Sequence, residues 1–173
     1  MIAVASSTVE RRATRWGLFL GIAVVVVIVD QLSKAWLVAN VAQGGAIEVV
    51  GDWLRLIHGR NDGGLFGLFQ GSAIVLAIAS LAVIGLIVAY HARARPSVVL
   101  SVALGLLLGG AIGNLIDRIR YGYVVDFVDA GIGDIRFYTF NVADSAISVA
   151  ILLLILLALF PALGGSGGDR SDG

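Results

Sequence analysis

Two carboxylates carry the first chemical suggestion. Asp126 lies among apolar neighbours in Tyr123-Val124-Val125-Asp126-Phe127-Val128, and Asp144 opens a long apolar run in Phe140-Asn141-Val142-Ala143-Asp144. Taken alone, Asp144 reads as a helix N-terminal cap, where the helix dipole favours an anion. Brought to one place by separate segments, the pair has a further use. Like charges a few ångströms apart do not both ionise easily, so one carboxyl stays protonated while the other activates a water, and the pair titrates as a unit. That is acid–base equipment for peptide hydrolysis.

Two further polar groups interrupt apolar sequence, where a charge costs about 2.5–3.5 kcal/mol on insertion scales and so requires a partner or a task. Asp30 and Lys34 stand i, i+4, acid first, the favourable order for a helical ion pair. This pair reads equally as self-neutralising and as support for a neighbouring site. Asn114, Asp117 and Arg118 follow Gly105, Gly109 and Gly113, a stripe of small residues that lets another helix approach closely. Asn114 and Arg118 share a helix face with Asp117 one position round. The planar fork of Arg118 suits it to neutralise and orient a nearby carboxylate, and an ordinary interfacial charge cluster is the plainer reading.

Other chemistries lack their residues. There are 0 cysteines, which excludes thiolate nucleophiles and Cys-ligated metals, and the 2 histidines, His58 and His91, fall in different segments. Gly-x-Ser-x-Gly occurs only in the glycine-rich tail, without strand–helix context, and no phosphate-binding loop is present. The formal net charge is +0, so no basic excess is available for nucleic acid. With 58% hydrophobic and 14% charged residues, the chain departs from the roughly half apolar, quarter charged mix of water-soluble domains.

The elements that must position these residues are membrane spans. Four stretches reach the ~20 apolar residues a bilayer-crossing helix needs: about 16–38, 71–90, 97–116 and 142–163. The expectation is an all-α membrane protein with a small extracytoplasmic sheet, residues 1–163 forming one integral-membrane domain and 164–173 a disordered tail. Arg11, Arg12 and Arg15 before Leu18–Val29 also resemble a signal peptide, but no small-x-small site follows and three more spans do, so the helix is expected to be retained. These arginines, with Arg93, Arg95 and Arg170, place both termini on the cytoplasmic side. The opposite connections each carry a strand–turn–strand pattern: Ile47–Val50 and Trp53–His58 about Gly51-Asp52, and Tyr123–Val128 and Ile135–Phe140 about Gly131 and Gly133. Trp16, Trp36, Trp53, Tyr90, Tyr121 and Tyr123 fall mostly at expected membrane boundaries. No internal repeat favours a transporter.

In order along the chain, Asp30-Gln31-x-x-Lys34, Asn61-x-Gly63-x-x-Phe66, Gly109-Gly110-x-x-Gly113-Asn114-x-x-Asp117-Arg118, Gly122-Tyr123-Val124-Val125-Asp126-Phe127 and Phe140-Asn141-x-Ala143-Asp144 resemble the motifs of the lipoprotein signal peptidase (signal peptidase II) family. These are bacterial membrane aspartic proteases, and the likeness covers most of the chain. The resemblance implies that Asp126 and Asp144 are the catalytic dyad. It makes Asn61, Gly63, Asn114, Arg118 and Asn141 supporting or substrate-positioning residues, with Asp30 and Lys34 as a buttress. One departure is Gly64-Leu65, where the family commonly has two small residues.

The family's activity, cleavage of prolipoproteins N-terminal to a diacylglyceryl-modified cysteine, is thereby implied. So are a lipid-embedded substrate, no metal or organic cofactor, inhibition by the cyclic peptide antibiotic globomycin, a monomeric enzyme and a place in the bacterial inner membrane. The rival from another class is a small proton- or ion-conducting membrane protein, with Asp30, Lys34, Asp117, Asp126 and Asp144 lining a polar path. A non-catalytic scaffold leaves these acids unexplained.

Overall fold

In a computed structural model of the chain, residues 2–63, 72–94 and 96–164 are described, with side chains from residue 13 onward. Gly64-Leu65, Phe66, Arg95 and the tail from 165 lie outside the described residues.

Four apolar stretches form helices because only internal hydrogen bonding satisfies a backbone in lipid. They are α1 (Ile2–Asn40), α2 (Ala73–Arg93), α3 (Val98–Tyr121) and α4 (Val142–Leu159), each containing a segment long and apolar enough to cross a membrane. A four-stranded antiparallel sheet is built between them, in spatial order β1 (Ala46–Val50), β2 (Leu54–Asn61), β3 (Val124–Ile132) and β4 (Ile135–Arg136). The protein is thus a four-span α-helical membrane protein carrying a small sheet.

Boundaries differ from the sequence expectation for local reasons. Helix α3 runs beyond Ile116 to Tyr121, where Gly122 at φ 76° takes the left-handed conformation that ends a helix and donates its N–H to Arg118 O at 3.1 Å. Helix α4 stops at Leu159, before Pro161, and Pro161–Gly164 form a 3-10 turn. Strand β2 continues three residues past His58, because its partner β3 extends opposite it, with Asn61 facing Val124. Strand β4 shrinks to two residues. Beyond it, Phe137 and Phe140 bond back to Ala130 and Val128 without a continuous ladder between them.

Helix α3 is the centre of the bundle and touches α1, α2 and α4. Its glycines determine how closely. A Cβ added at Gly105 would sit 2.7 Å from Phe19 O, at Gly109 2.8 Å from Ala23 O, and at Gly110 2.5 Å from Ala143 O. One face of α3 therefore meets the backbone of α1 and a second meets that of α4. Phe19, Ala23, Ile87, Leu104 and Leu108 fill the core at one end of the bundle, and Leu37, Val41, Val125 and Phe127 seal the sheet onto α1 at the other.

The close approach to α4 yields a test. Gly110→Ala, forced against backbone, is expected to destabilise the protein by about 1–3 kcal/mol in thermal unfolding in detergent. Gly85→Ala, with nothing within 4 Å of the added Cβ, is expected to be neutral or slightly stabilising. Equal effects would contradict the close-approach account.

Candidate active site

Strand β3 enters the protein's interior at Val124, and the alternation expected of a half-exposed strand is suspended: Val124 through Phe127 are all buried. The burial follows from the sheet lying against α1 on one side while the strand's start is drawn onto the end of α3. Asp126 is thereby placed at 1% exposure. Opposite it on β2 is Gly59, where a Cβ would lie 2.8 Å from Asp126 O, so glycine is what lets the two strands close at this point. The Asp126 carboxylate accepts an amide N–H from Asn61 at 2.8 Å on Oδ2 and another from Asn141 at 2.7 Å on Oδ1.

Asp144 is delivered by α4. Asn141 is the N-cap, its Oδ1 accepting from Asp144 N at 2.9 Å while Asp144 Oδ2 accepts from Asn141 N at 3.2 Å, a reciprocal capping box. The cap expected at this helix end is therefore present, and Asp144 is its third-position partner instead of the cap itself. The other carboxylate oxygen accepts from Asn114 Nδ2 at 2.8 Å. Asn141, fully buried, thus touches both acids, and its amide also reaches Asn114 Oδ1 at 3.1 Å and Val125 O at 3.3 Å.

Beneath this pair lies an ion-pair hub. Lys34 Nζ, at 3% residue exposure, is 2.8 Å from Asp30 Oδ2 and 2.9 Å from Asp117 Oδ2, and it donates to Asn114 Oδ1 at 3.2 Å. The remaining lone pairs of the two acids hold backbone: Asp30 Oδ1 accepts from Ala143 N at 2.9 Å, and Asp117 Oδ2 accepts from Val125 N at 3.1 Å. These are the residues immediately before Asp144 and Asp126. Gln31 completes the cluster by donating to Asp117 Oδ1 at 3.0 Å and Gly113 O at 3.2 Å. Gly113 has its own reason to lack a side chain, since a Cβ would meet the Asp30 carboxylate at 2.6 Å.

Burial, and then the neighbouring charge of Asp144, push the Asp126 carboxyl up to about 7 from the ordinary carboxylate range. The amides of Asn61 and Asn141 and the charge of Lys34 work in the opposite direction and do not overcome the loss of water. One member of the pair therefore keeps a proton close to neutrality.

Of the residues singled out by sequence, Asp30, Lys34, Asn61, Asn114, Asp126, Asn141 and Asp144 converge in one network. Asn61 is the last residue of β2 instead of a loop residue, and Gly63 follows it closely, its N–H donating to Asn61 Oδ1 at 3.0 Å. Arg118 differs from expectation. Among the described residues it forms no ion pair within 4 Å; its guanidinium donates to Asn114 O at 3.4 Å and Gly63 O at 3.3 Å. The carboxylate beside it is already taken by Lys34.

Three contributors escaped notice as site residues. In the sequence Asp117 stands beside Arg118, Gln31 has only its place beside Asp30 in a motif, and Gly59 carries no local signal, its role depending on the partner strand. His58 and His91 lie elsewhere, and among the described residues no cluster of three metal-ligating side chains occurs.

Removing the hub's cation leaves two buried carboxylates unpaired. Lys34→Met is accordingly expected to lower unfolding stability by about 3–5 kcal/mol, measured by thermal or denaturant unfolding in detergent. An unchanged transition would show that Lys34 does not hold the cluster together.

Comparison with known proteins identifies the family of the chain. The family described as Signal peptidase (SPase) II matches residues 22–160. A lipoprotein signal peptidase of Syntrophomonas wolfei is 40% identical over 144 residues, covering 83% of this chain and 91% of its own. One from Dehalococcoides mccartyi is 42% identical over 154 residues, covering 84% and 90%. A solved bacterial membrane enzyme, determined by the in meso method at 2.3 Å resolution, superposes with a TM-score of 0.80 at 31% identity over 90% of this chain and 95% of that one. A second, at 1.9 Å, gives 0.75 at 33% identity over 83% and 94%. With its four spans, its sheet and a match over most of its length, the chain belongs to the signal peptidase II family.

Proposed function

We propose that this protein removes the signal peptide from prolipoproteins as an aspartic endopeptidase, with Asp126 and Asp144 as its dyad. Family membership makes it a membrane peptidase. The observation that carries the aspartic assignment is Asn141, a buried residue bonded to both carboxylates, with the hub beneath fixing the backbone beside each. Asp126, the more deeply buried acid, holds the shared proton and polarises the scissile carbonyl. Asp144, only partly buried, takes the proton from water and returns it to the leaving amine. Asn61 and Asn114 orient the carboxylates, while Arg118 and Gly63 support the start of the segment that follows β2.

The site lies where α3 and α4 meet the sheet, a depth suited to a peptide bond held at the membrane surface by a lipid. From the family resemblance we propose cleavage N-terminal to a diacylglyceryl-modified cysteine, recognition of membrane lipid and inhibition by globomycin. We further propose that residues 1–163 act as one peptidase domain with 164–173 as a tail. The enzyme is a monomer in the bacterial inner membrane, with both termini cytoplasmic. Ion conduction has less support: Asp30, Asp117, Asp126 and Asp144 gather in one network instead of crossing the bundle, and the relatives reported above are peptidases.

Asp126→Asn and Asp144→Asn should each insert normally and lose about 10²- to 10⁴-fold in cleavage of a diacylglyceryl-modified prolipoprotein, with an unmodified substrate as control. Full activity in either variant would refute the dyad. The protonated form of Asp126 is lost as pH rises through about 7, so kcat/KM should fall across that range. Asn61 donates to the carboxylate and opposes the upward shift, so Asn61→Ala should move this alkaline limb to higher pH. A downward move would mean that Asn61 acts otherwise.

A further inference from the structure

Helix α4 carries two hydroxyls that the acid–base chemistry does not use. Its polar residues, Asp144, Ser145 and Ser148, are confined to its first two turns, and from Val149 to Leu159 it is apolar. Ala143, Ala146 and Ala150 are its buried residues, with Ala143 and Ile147 set against Gly110 of α3. Ser145 and Ser148 are exposed. In a span that otherwise presents hydrocarbon, an exposed hydroxyl needs a partner.

Each serine has one within the helix. Ser145 Oγ donates to Asn141 O and Ser148 Oγ to Asp144 O, both at 2.9 Å. Such back-bonding is the plain account of a serine in a span, and it uses the hydroxyl's single donor while leaving its oxygen able to accept. The two oxygens differ in aim. Ser148 stands four residues after Asp144 and shares its face, whereas Ser145 lies more than a quarter turn round.

Peptide cleavage calls for an acceptor in that position. A bond is cut in an extended segment, so residues of an apolar signal sequence beside the cut give up their helical partners, and an N–H left unpaired away from water is costly. The signal sequence lies on the N-terminal side of the cut and runs into the membrane, the direction in which α4 runs from Asp144. Ser148 is four residues deeper than Asp144, about 6 Å at the helical rise, and two residues of extended chain cover about 6.6 Å. We infer that Ser148 Oγ accepts the backbone N–H of the second residue before the cleaved bond and so holds the signal sequence extended beside Asp144. The inference rests on the peptidase reading above and adds to it a contact with the part of the substrate that is removed.

The test uses the full-length protein in detergent and two diacylglyceryl-modified prolipoprotein peptides. One is all amide; the other has an ester oxygen in place of the N–H of the second residue before the cut. The wild-type protein should favour the all-amide peptide about 3- to 10-fold in kcat/KM, the effect of one hydrogen bond. Ser148→Ala should lose that much on the all-amide peptide and nothing on the ester, so that the two are cut alike, while unfolding as the wild type does. Ser148→Thr, which keeps a hydroxyl, should restore the preference. Ser145→Ala, which loses a back-bonded hydroxyl off the face of Asp144, should leave it intact. An unchanged preference in Ser148→Ala, equal losses on both peptides, or the same collapse in Ser145→Ala would overturn the inference and leave the peptidase reading standing. A wild-type protein that cuts neither peptide would refute that reading, and the inference with it.

Discussion

Lys34 sits between Asp30 and Asp117, and the geometry of everything above it follows from that buried bridge. A cation inside a membrane bundle is tolerated only with compensation, and here two carboxylates and an asparagine oxygen surround it. One cation between two acids leaves an excess negative charge, and backbone N–H groups absorb it. The donors are Ala143 at the start of α4 and Val125 at the start of β3. Charge compensation and positioning are one arrangement: the groups that satisfy the ion pairs are the backbone neighbours of the two acids.

The helices accommodate this by giving up side chains. Helix α3 has to contact α1 and α4 closely enough for Asp30 to reach across to α4, and its glycines remove the atoms that would keep the backbones apart. Above the hub the connectors change from charges to amides. Asn61, Asn114 and Asn141 each donate to a carboxylate without contributing charge, so the acids are held while their proton remains free to move. A lysine in place of any of them would instead favour the ionised form of the carboxylate it faced.

The two acids come from unlike elements, a strand and a helix N-terminus. Asp144 inherits the rigidity of a span through its capping box, whereas Asp126 depends on a sheet outside the bundle. The sheet is stiffened where it is farthest from the helices, by the Arg55–Asp129–Arg136 cluster, in which the bonds from Arg136 and Arg55 lower the pKa of the Asp129 carboxyl.

Much of this was legible in sequence because its signals are local. Apolar runs longer than a bilayer's thickness determined the four spans; alternation about glycine turns placed both hairpins; Asp126 and Asp144 stood out as carboxylates in apolar surroundings. Partners distant in sequence were not legible. The acid that Lys34 bridges to Asp30 is 83 positions away at Asp117, a pairing that no local spacing signals. Asn141 as the common donor, Gly59 opposite Asp126 and the shortened β4 likewise depend on strand register and helix approach. Residue type and periodicity settle which groups must leave water and which segments hide them; which of the buried charges and amides then meet is decided only when packed backbones bring their hydrogen-bonding atoms within about 3 Å.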